Sequence, residues 1–139
     1  MNIFDEIKKY NFPPEEYVVF GGAAMAVRGL KETNDIDIIA SQKLLAEYRS
    51  QKGWHDHPRI IPTEDHGIVN EEGTIEIYPT VGGIAEITFE RLRKNAEIID
   101  GIPFASLRDV RIIKEVYNRE KDLRDVIKIE EYLALNKSV

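Results

Sequence analysis

Residues 18–40, VVFGGAAMAVRGLKETNDIDIIA, confine the chain to few folds, because two apolar, β-rich runs flank a Gly-Gly pair and a short stretch of helix formers. Tyr17–Phe20 reads as a buried strand, and Asp35–Ala40 as a second one. Asp35 and Asp37 are two apart, so on a strand both carboxylates point to one face while Ile36 and Ile38 point into the core. Neighbouring carboxylates repel unless a cation lies between them, and Mg²⁺ takes such hard oxygen ligands. The Gly21-Gly22 pair lets the backbone turn tightly and approach a ligand, and Ala23–Ala26 reads as a short helix whose first N–H groups face an anion.

At 139 residues the chain fits one domain, with a core of about residues 15–105 and C-terminal helices over about 106–135. Hydrophobic residues are 42% and charged residues 32%, a globular balance, and no apolar run approaches the ~20 residues of a membrane span. The opening MNIFDEIKKY lacks the basic-then-apolar order of a signal peptide, which makes the cytoplasm the expected location. The absence of cysteine excludes disulfides and thiolate zinc sites. A net charge of −6 argues against a chain-wide nucleic-acid footprint, although residues 107–139 hold 8 Lys/Arg against 7 Asp/Glu and leave room for a local basic rim.

Elsewhere, Ile3, Phe4, Ile7 and Tyr10 have helical spacing, with Pro13-Pro14 as a stop. Ser41 is placed to cap a helix running to about Lys52, where Gly53 ends it. Residues 54–65 carry at most a short strand. His66–Val69 and Thr74–Tyr78 read as a hairpin, as do Ile98–Asp100 and Ile102–Phe104 across Gly101. Phe89–Ala96 reads as a helix, and Ser106 as the cap of another that runs to about Asn118. In a last helix, Leu123, Val126, Ile127, Glu130 and Leu133 are close to a 3.6-residue period. The expected fold is α+β: a small mixed sheet, helices mainly on one face, and a C-terminal helical pair.

The order Gly-Gly, a gap of about a dozen residues, then Asp-Ile-Asp-Ile resembles the signature of the DNA polymerase β-type nucleotidyltransferase superfamily. RGLKETNDIDI is similar to its small AbiEii-like and MNT-like branches. The resemblance implies a glycine turn that holds a triphosphate, two aspartates that bind two Mg²⁺ or Mn²⁺ ions, and a third carboxylate on a neighbouring strand. Glu76 in TIEIYP fits the third place through its alternation with Ile75 and Ile77, and Glu86 in AEITF is its rival. The expected catalytic and metal-binding residues are therefore Asp35, Asp37 and Glu76.

VRIIKEVYNREKDLRDVIKIEEYL carries a second likeness, to a Lys-then-Arg-x-Lys-Asp pattern of AbiEii-like proteins. It implies that Lys114, Arg119 and Lys121 reach triphosphate oxygens and that Asp122 caps a helix or orients a lysine. The competing reading is a solvated, ion-paired face through Asp122, Asp125 and Lys128. Arg28 and Lys31, between the glycines and the aspartates, are further phosphate candidates, with Arg28 preferred. His55, His57 and His66 beside Asp56 make only a weak zinc pattern, and Tyr78 shares the predicted face of Glu76.

The function implied is transfer of a nucleoside monophosphate from an NTP to a hydroxyl of an RNA, a protein or a small molecule. The branch also implies a toxin–antitoxin or phage-defence context with a cognate antitoxin. Only about 14 residues follow Asp125, less than AbiEii-type toxins carry, which favours a protein or small acceptor over tRNA, or a homodimer that builds the acceptor groove. The alternative is a catalytically inactive nucleotide- or partner-binding module.

Overall fold

A computed structural model describes residues 1–57, 66–82 and 84–136. Residues 58–65 of the segment expected to be irregular lie outside the described residues. In chain order come α1 (Ile3–Lys8), β1 (Tyr17–Phe20), α2 (Gly21–Ala26), β2 (Ile36–Ala40), α3 (Gln42–Arg49), β3 (Trp54–Asp56), β4 (Ile68–Asn70) and β5 (Ile75–Tyr78). They are followed by α4 (Phe89–Asn95), β6 (Glu97–Ile99), β7 (Ile102–Phe104), α5 (Leu107–Tyr117) and α6 (Glu120–Leu135).

Among the described residues, seven strands form one mixed sheet in the order β3-β4-β5-β2-β1-β7-β6. The β2–β5 and β1–β7 pairs are parallel and the others antiparallel. Local chemistry sets the ends of several elements. Ser41 accepts from Leu44 N–H, Thr88 from Arg91 N–H and Ser106 from Asp109 N–H, each the hydrogen bond of a helix N-cap. Asn118, at φ +53°, closes α5 in the left-handed conformation. Asp100-Gly101, both at positive φ, join β6 to β7 as a two-residue hairpin turn requires.

The helices do not pack mainly on one face, contrary to expectation. Ile36, Ile38 and Ala40 of β2 meet Ile7 of α1 and Leu44 and Leu45 of α3. On the opposite face Val18, Phe20 and Ile39 meet Leu92 of α4, Val110 and Ile113 of α5, and Ile129 of α6. The centre of the sheet is thus buried on both sides, which is why β1 reads YVVF rather than alternating with polar residues.

Two further expectations need revision. α1 stops at Lys8, before the prolines, and the left-handed Asn11 (φ 51°) redirects the chain. In α6 the buried face is Asp122, Asp125, Val126 and Ile129, whereas Leu123 and Ile127 are about half exposed. The helix turns two aspartates inward, and what they meet there explains the rotation.

Candidate functional site

On the face covered by α4–α6, Asp37 of β2 stands in parallel register with Glu76 of β5. Adjacent strands bring such partners to within about 5 Å. Phe20, the other cross-strand neighbour of Asp37, is the last residue of β1. The chain then turns sharply at Gly21, whose φ is +65°. A Cβ built there would lie 3.1 Å from Asp37 Oδ2, so the carboxylate lies against the glycine turn and a side chain at position 21 would crowd it.

A cleft opens over this pair in two chambers that share Phe20, Asp37, Tyr117, Arg119 and Lys121. The larger, of about 670 Å³, adds Glu76, Tyr78, His57 and His66 to its walls. The smaller, of about 230 Å³, adds Gly21, Gly22, Lys31, Thr33, Asp35 and Lys114. Charges of both signs line each chamber, with Asp35 and Asp125 beside the lysines of the smaller one and Arg119 and Lys121 common to both. Glu76 belongs to one side, the two inner lysines to the other, and Asp37 stands at the boundary.

The lysines are held by the inward aspartates of α6. Asp125 Oδ2 lies 3.0 Å from Lys114 Nζ and 3.1 Å from Lys31 Nζ, so two ammonium groups share one carboxylate oxygen. Asp122 Oδ2 accepts from the Arg119 backbone N–H, which caps α6, while Oδ1 lies 3.7 Å from Lys114 Nζ. Burial acts to raise the pKa of both aspartates, but Arg119 and Lys114 hold Asp122 below the usual range, and Lys114 and Lys31 do the same for Asp125. This is not a solvated surface array. The aspartates are buried, and they fix cations at the floor of the smaller chamber.

Asp37 and Glu76 are shifted in opposite directions. Burial, and then the neighbouring Glu76 and Asp35, push Asp37 up to about 7. Burial also acts to raise Glu76, yet hydrogen bonds from Tyr78, the Asp37 carboxyl and His57 outweigh it and keep Glu76 ionised. Glu76 Oε2 accepts from Tyr78 Oη at 2.5 Å, and Oε1 lies 3.1 Å from His57 Nε2.

The chain matches no protein-family model and no curated protein at a significant level.

Of the residues picked from sequence, the fold brings Gly21, Gly22, Asp35, Asp37, Glu76, Lys114, Arg119 and Lys121 to the cleft. Arg28 is not among them. Its guanidinium donates to the carbonyls of Ala24 at 2.8 Å and Ala105 at 3.0 Å and pairs with Glu97 at 2.9 Å, tying α2 to the β6–β7 hairpin. Lys31 takes the place in the cleft that was assigned to it. Glu86 is exposed and outside any strand. The three histidines do not cluster: His55 is exposed on β3, His66 lies 2.8 Å from Asp56, and His57 faces Glu76. His57, Lys31 and Thr33 are the cleft residues that sequence reasoning undervalued or missed.

Arg28→Ala should therefore act on stability rather than on the cleft. Two carbonyls would lose their donor, which costs about 2–3 kcal/mol together. Urea unfolding should report that loss, and titration with NTP should give an unchanged affinity. A large loss of NTP binding with normal stability would return Arg28 to the site.

Asp35, Asp37 and Glu76 offer only hard oxygen donors, which suit Mg²⁺ or Mn²⁺ rather than zinc. Among the described residues no three His, Asp or Glu side chains already converge as a metal cage. Asp37 and Glu76 are the assembled pair, and Asp35 stands exposed at the rim of the smaller chamber, just before β2. Burial and the neighbouring Glu76 and Asp35 raise the pKa of Asp37, and a bound cation would relieve the repulsion between these carboxylates. The donor set fits a divalent cation.

Proposed function

We propose that the protein is a metal-dependent nucleotidyltransferase that moves a nucleoside monophosphate from an NTP to an acceptor hydroxyl. The observation that carries this reading is a single cleft in which Asp37, paired with Glu76, joins a roomy chamber to a smaller one lined by two lysines anchored on a buried aspartate. Nucleotidyl transfer forms a bond from the acceptor oxygen to the α-phosphorus and breaks the bond to the oxygen bridging to the β-phosphorus. Pyrophosphate leaves, and the acceptor hydroxyl gives up its proton.

Each side of the cleft suits one half of that reaction. The smaller chamber is sized for a polyphosphate tail rather than a whole nucleotide. Lys31 and Lys114 would stabilise the negative charge that collects on departing pyrophosphate, and the turn at Gly21-Gly22 allows phosphate oxygens to come close to the backbone. Asp35, Asp37 and Glu76 would hold one or two Mg²⁺ or Mn²⁺ ions, which when bound supply charge stabilisation to the attacking and leaving oxygens. An in-line attack places the acceptor on the side opposite the lysines, toward Glu76. The chamber there, about 670 Å³, falls within the range of small-molecule pockets, ~300–1,000 Å³. That supports a compact acceptor or a single protruding group of a protein or RNA.

The test is incubation with α-labelled ATP, CTP, GTP and UTP and Mg²⁺ in a cell extract, with wild type beside Glu76→Gln. Label should enter RNA, protein or a small molecule with wild type alone, while Glu76→Gln retains NTP binding through the lysine chamber. NTP binding by both proteins with no label in any extract would support the binding-module reading instead.

A further inference from the structure

Glu76 is held by two side chains that no part of the proposed chemistry has used, and their arrangement prepares its carboxylate for a cation. Tyr78 lies two residues along β5, so its side chain leaves the same face of the sheet as that of Glu76. Its hydroxyl reaches Glu76 Oε2 at 2.5 Å. His57 comes from the opposite direction. It follows β3 and pairs through its backbone N–H with the Gly67 carbonyl at 2.9 Å, and its Nε2 lies 3.1 Å from Glu76 Oε1.

Tyr78 and His57 thus give each carboxylate oxygen one donor. An ionised carboxylate has about four lone-pair sites, two per oxygen. The hydrogen bond from the Asp37 carboxyl takes a further site, the one that a cation shared with Asp37 would claim.

The clamp is itself supported. The Tyr78 ring packs edge-on to Phe20, with centroids 6.4 Å apart, and lies 5.5 Å from the His57 ring. Gly67 has room only for hydrogen, since a Cβ there would come within 2.7 Å of both the Ile77 carbonyl oxygen and the Tyr78 ring. The glycine thus lets β4 close down over the tyrosine and fix its direction. The imidazole side chain is 17% exposed against 31% for Glu76, so the support is more deeply set than the group it supports.

We propose that His57 and Tyr78 are positioning residues for Glu76, fixing its carboxylate rotamer so that its remaining lone pairs face the cation site shared with Asp37. The inference rests on the reading of Asp37 and Glu76 as metal ligands. Groups that orient a ligand from behind typically contribute 10–100-fold to metal affinity.

Mn²⁺ titrated into the intact protein with a non-hydrolysable NTP, followed by electron paramagnetic resonance of free Mn²⁺, tests it without any need for turnover. Tyr78→Phe keeps the ring and its packing but removes the hydroxyl, and should weaken Mn²⁺ binding about 10-fold or more. His57→Ala should do the same, whereas His57→Gln, whose amide nitrogen can stand near the Nε2 position, should recover most of the loss. In a Glu76→Gln background, Tyr78→Phe should add little, because its effect passes through the group already removed.

Additive losses in that background, or Mn²⁺ affinities of Tyr78→Phe and His57→Ala within twofold of wild type, would overturn the proposal. Asp37→Asn separates it from the reading beneath it. If Asp37→Asn loses Mn²⁺ but the clamp variants do not, only the clamp fails. If Asp37→Asn also binds Mn²⁺ normally, the metal site itself is wrong and the clamp falls with it.

Discussion

Asp37→Asn is expected to lower nucleotidyl transfer by at least ~10³-fold, the scale of removing a group that holds charge at the reacting centre. The position leaves little room for compensation. Asp37 lies between Phe20 and Glu76 in the sheet register, rests against the glycine turn, and lines both chambers of the cleft. Asparagine matches its shape, so packing should survive and far-UV circular dichroism should not change. What is lost is one anionic oxygen at the point where the two halves of the cleft meet. Release of pyrophosphate and transfer of α-label, both measured at saturating NTP, should fall together, whereas NTP affinity through Lys31 and Lys114 should change much less. Residual transfer within tenfold of wild type would mean that Asp37 is not at the reacting centre, and the proposed activity would lose its main support.

The elements that carry this site were legible because their signals are local. Alternation over DIDI and TIEIY placed Asp37 and Glu76 on one face each, and parallel pairing then set them side by side. Caps such as Ser41 and Ser106 marked helix starts for the same reason, since their hydrogen bonds reach only three residues ahead.

The features that were misread depend on distant partners. His57 stands in an aperiodic stretch, and its approach to Glu76 is created by the pairing of β3 with β4 and β4 with β5. In sequence Arg28 was preferred to Lys31 as the phosphate contact, and the fold reverses that order. The turn at Gly29, with φ +76°, separates them and sends Arg28 to the carbonyl of Ala105 and Lys31 to Asp125. Asp122 and Asp125 have the spacing of an exposed helix face. They are buried because Lys114 and Lys31 meet them from other elements, and that turns Leu123 and Ile127 outward. The two-sided cover of the sheet did have a signal, the unbroken apolar run YVVF.

The protein without divalent cations is expected to lose stability as pH rises from about 5 to about 8, and Mg²⁺ should restore it. Asp37 has an ordinary carboxyl value of 3.8 and is raised to about 7 by burial and by Glu76 and Asp35. Between those values the folded protein keeps a proton that the unfolded chain has released. The stabilisation is therefore complete below pH 3.8 and is lost as pH passes through about 7. Glu76 is shifted the other way, below its ordinary 4.5, so its contribution is already constant above about pH 5 and does not oppose the slope. Each unit of displacement corresponds to about 1.4 kcal/mol, and sharing of the proton with Glu76 limits the total to a few kcal/mol.

A divalent cation replaces that proton, so stabilisation by Mg²⁺ should grow with pH and be largest near pH 8. Asp37→Asn imitates the protonated carboxyl. It should flatten the slope, raise the stability of the cation-free protein at pH 8, and abolish the Mg²⁺ effect. Urea unfolding at four pH values between 5 and 8, with EDTA or Mg²⁺, checks all three. The difference between wild type and Asp37→Asn isolates this carboxyl from the histidines that titrate in the same range. A difference that stays constant from pH 5 to pH 8 would show that Asp37 holds no such proton, and that the repulsion calling for a cation beside Glu76 is absent.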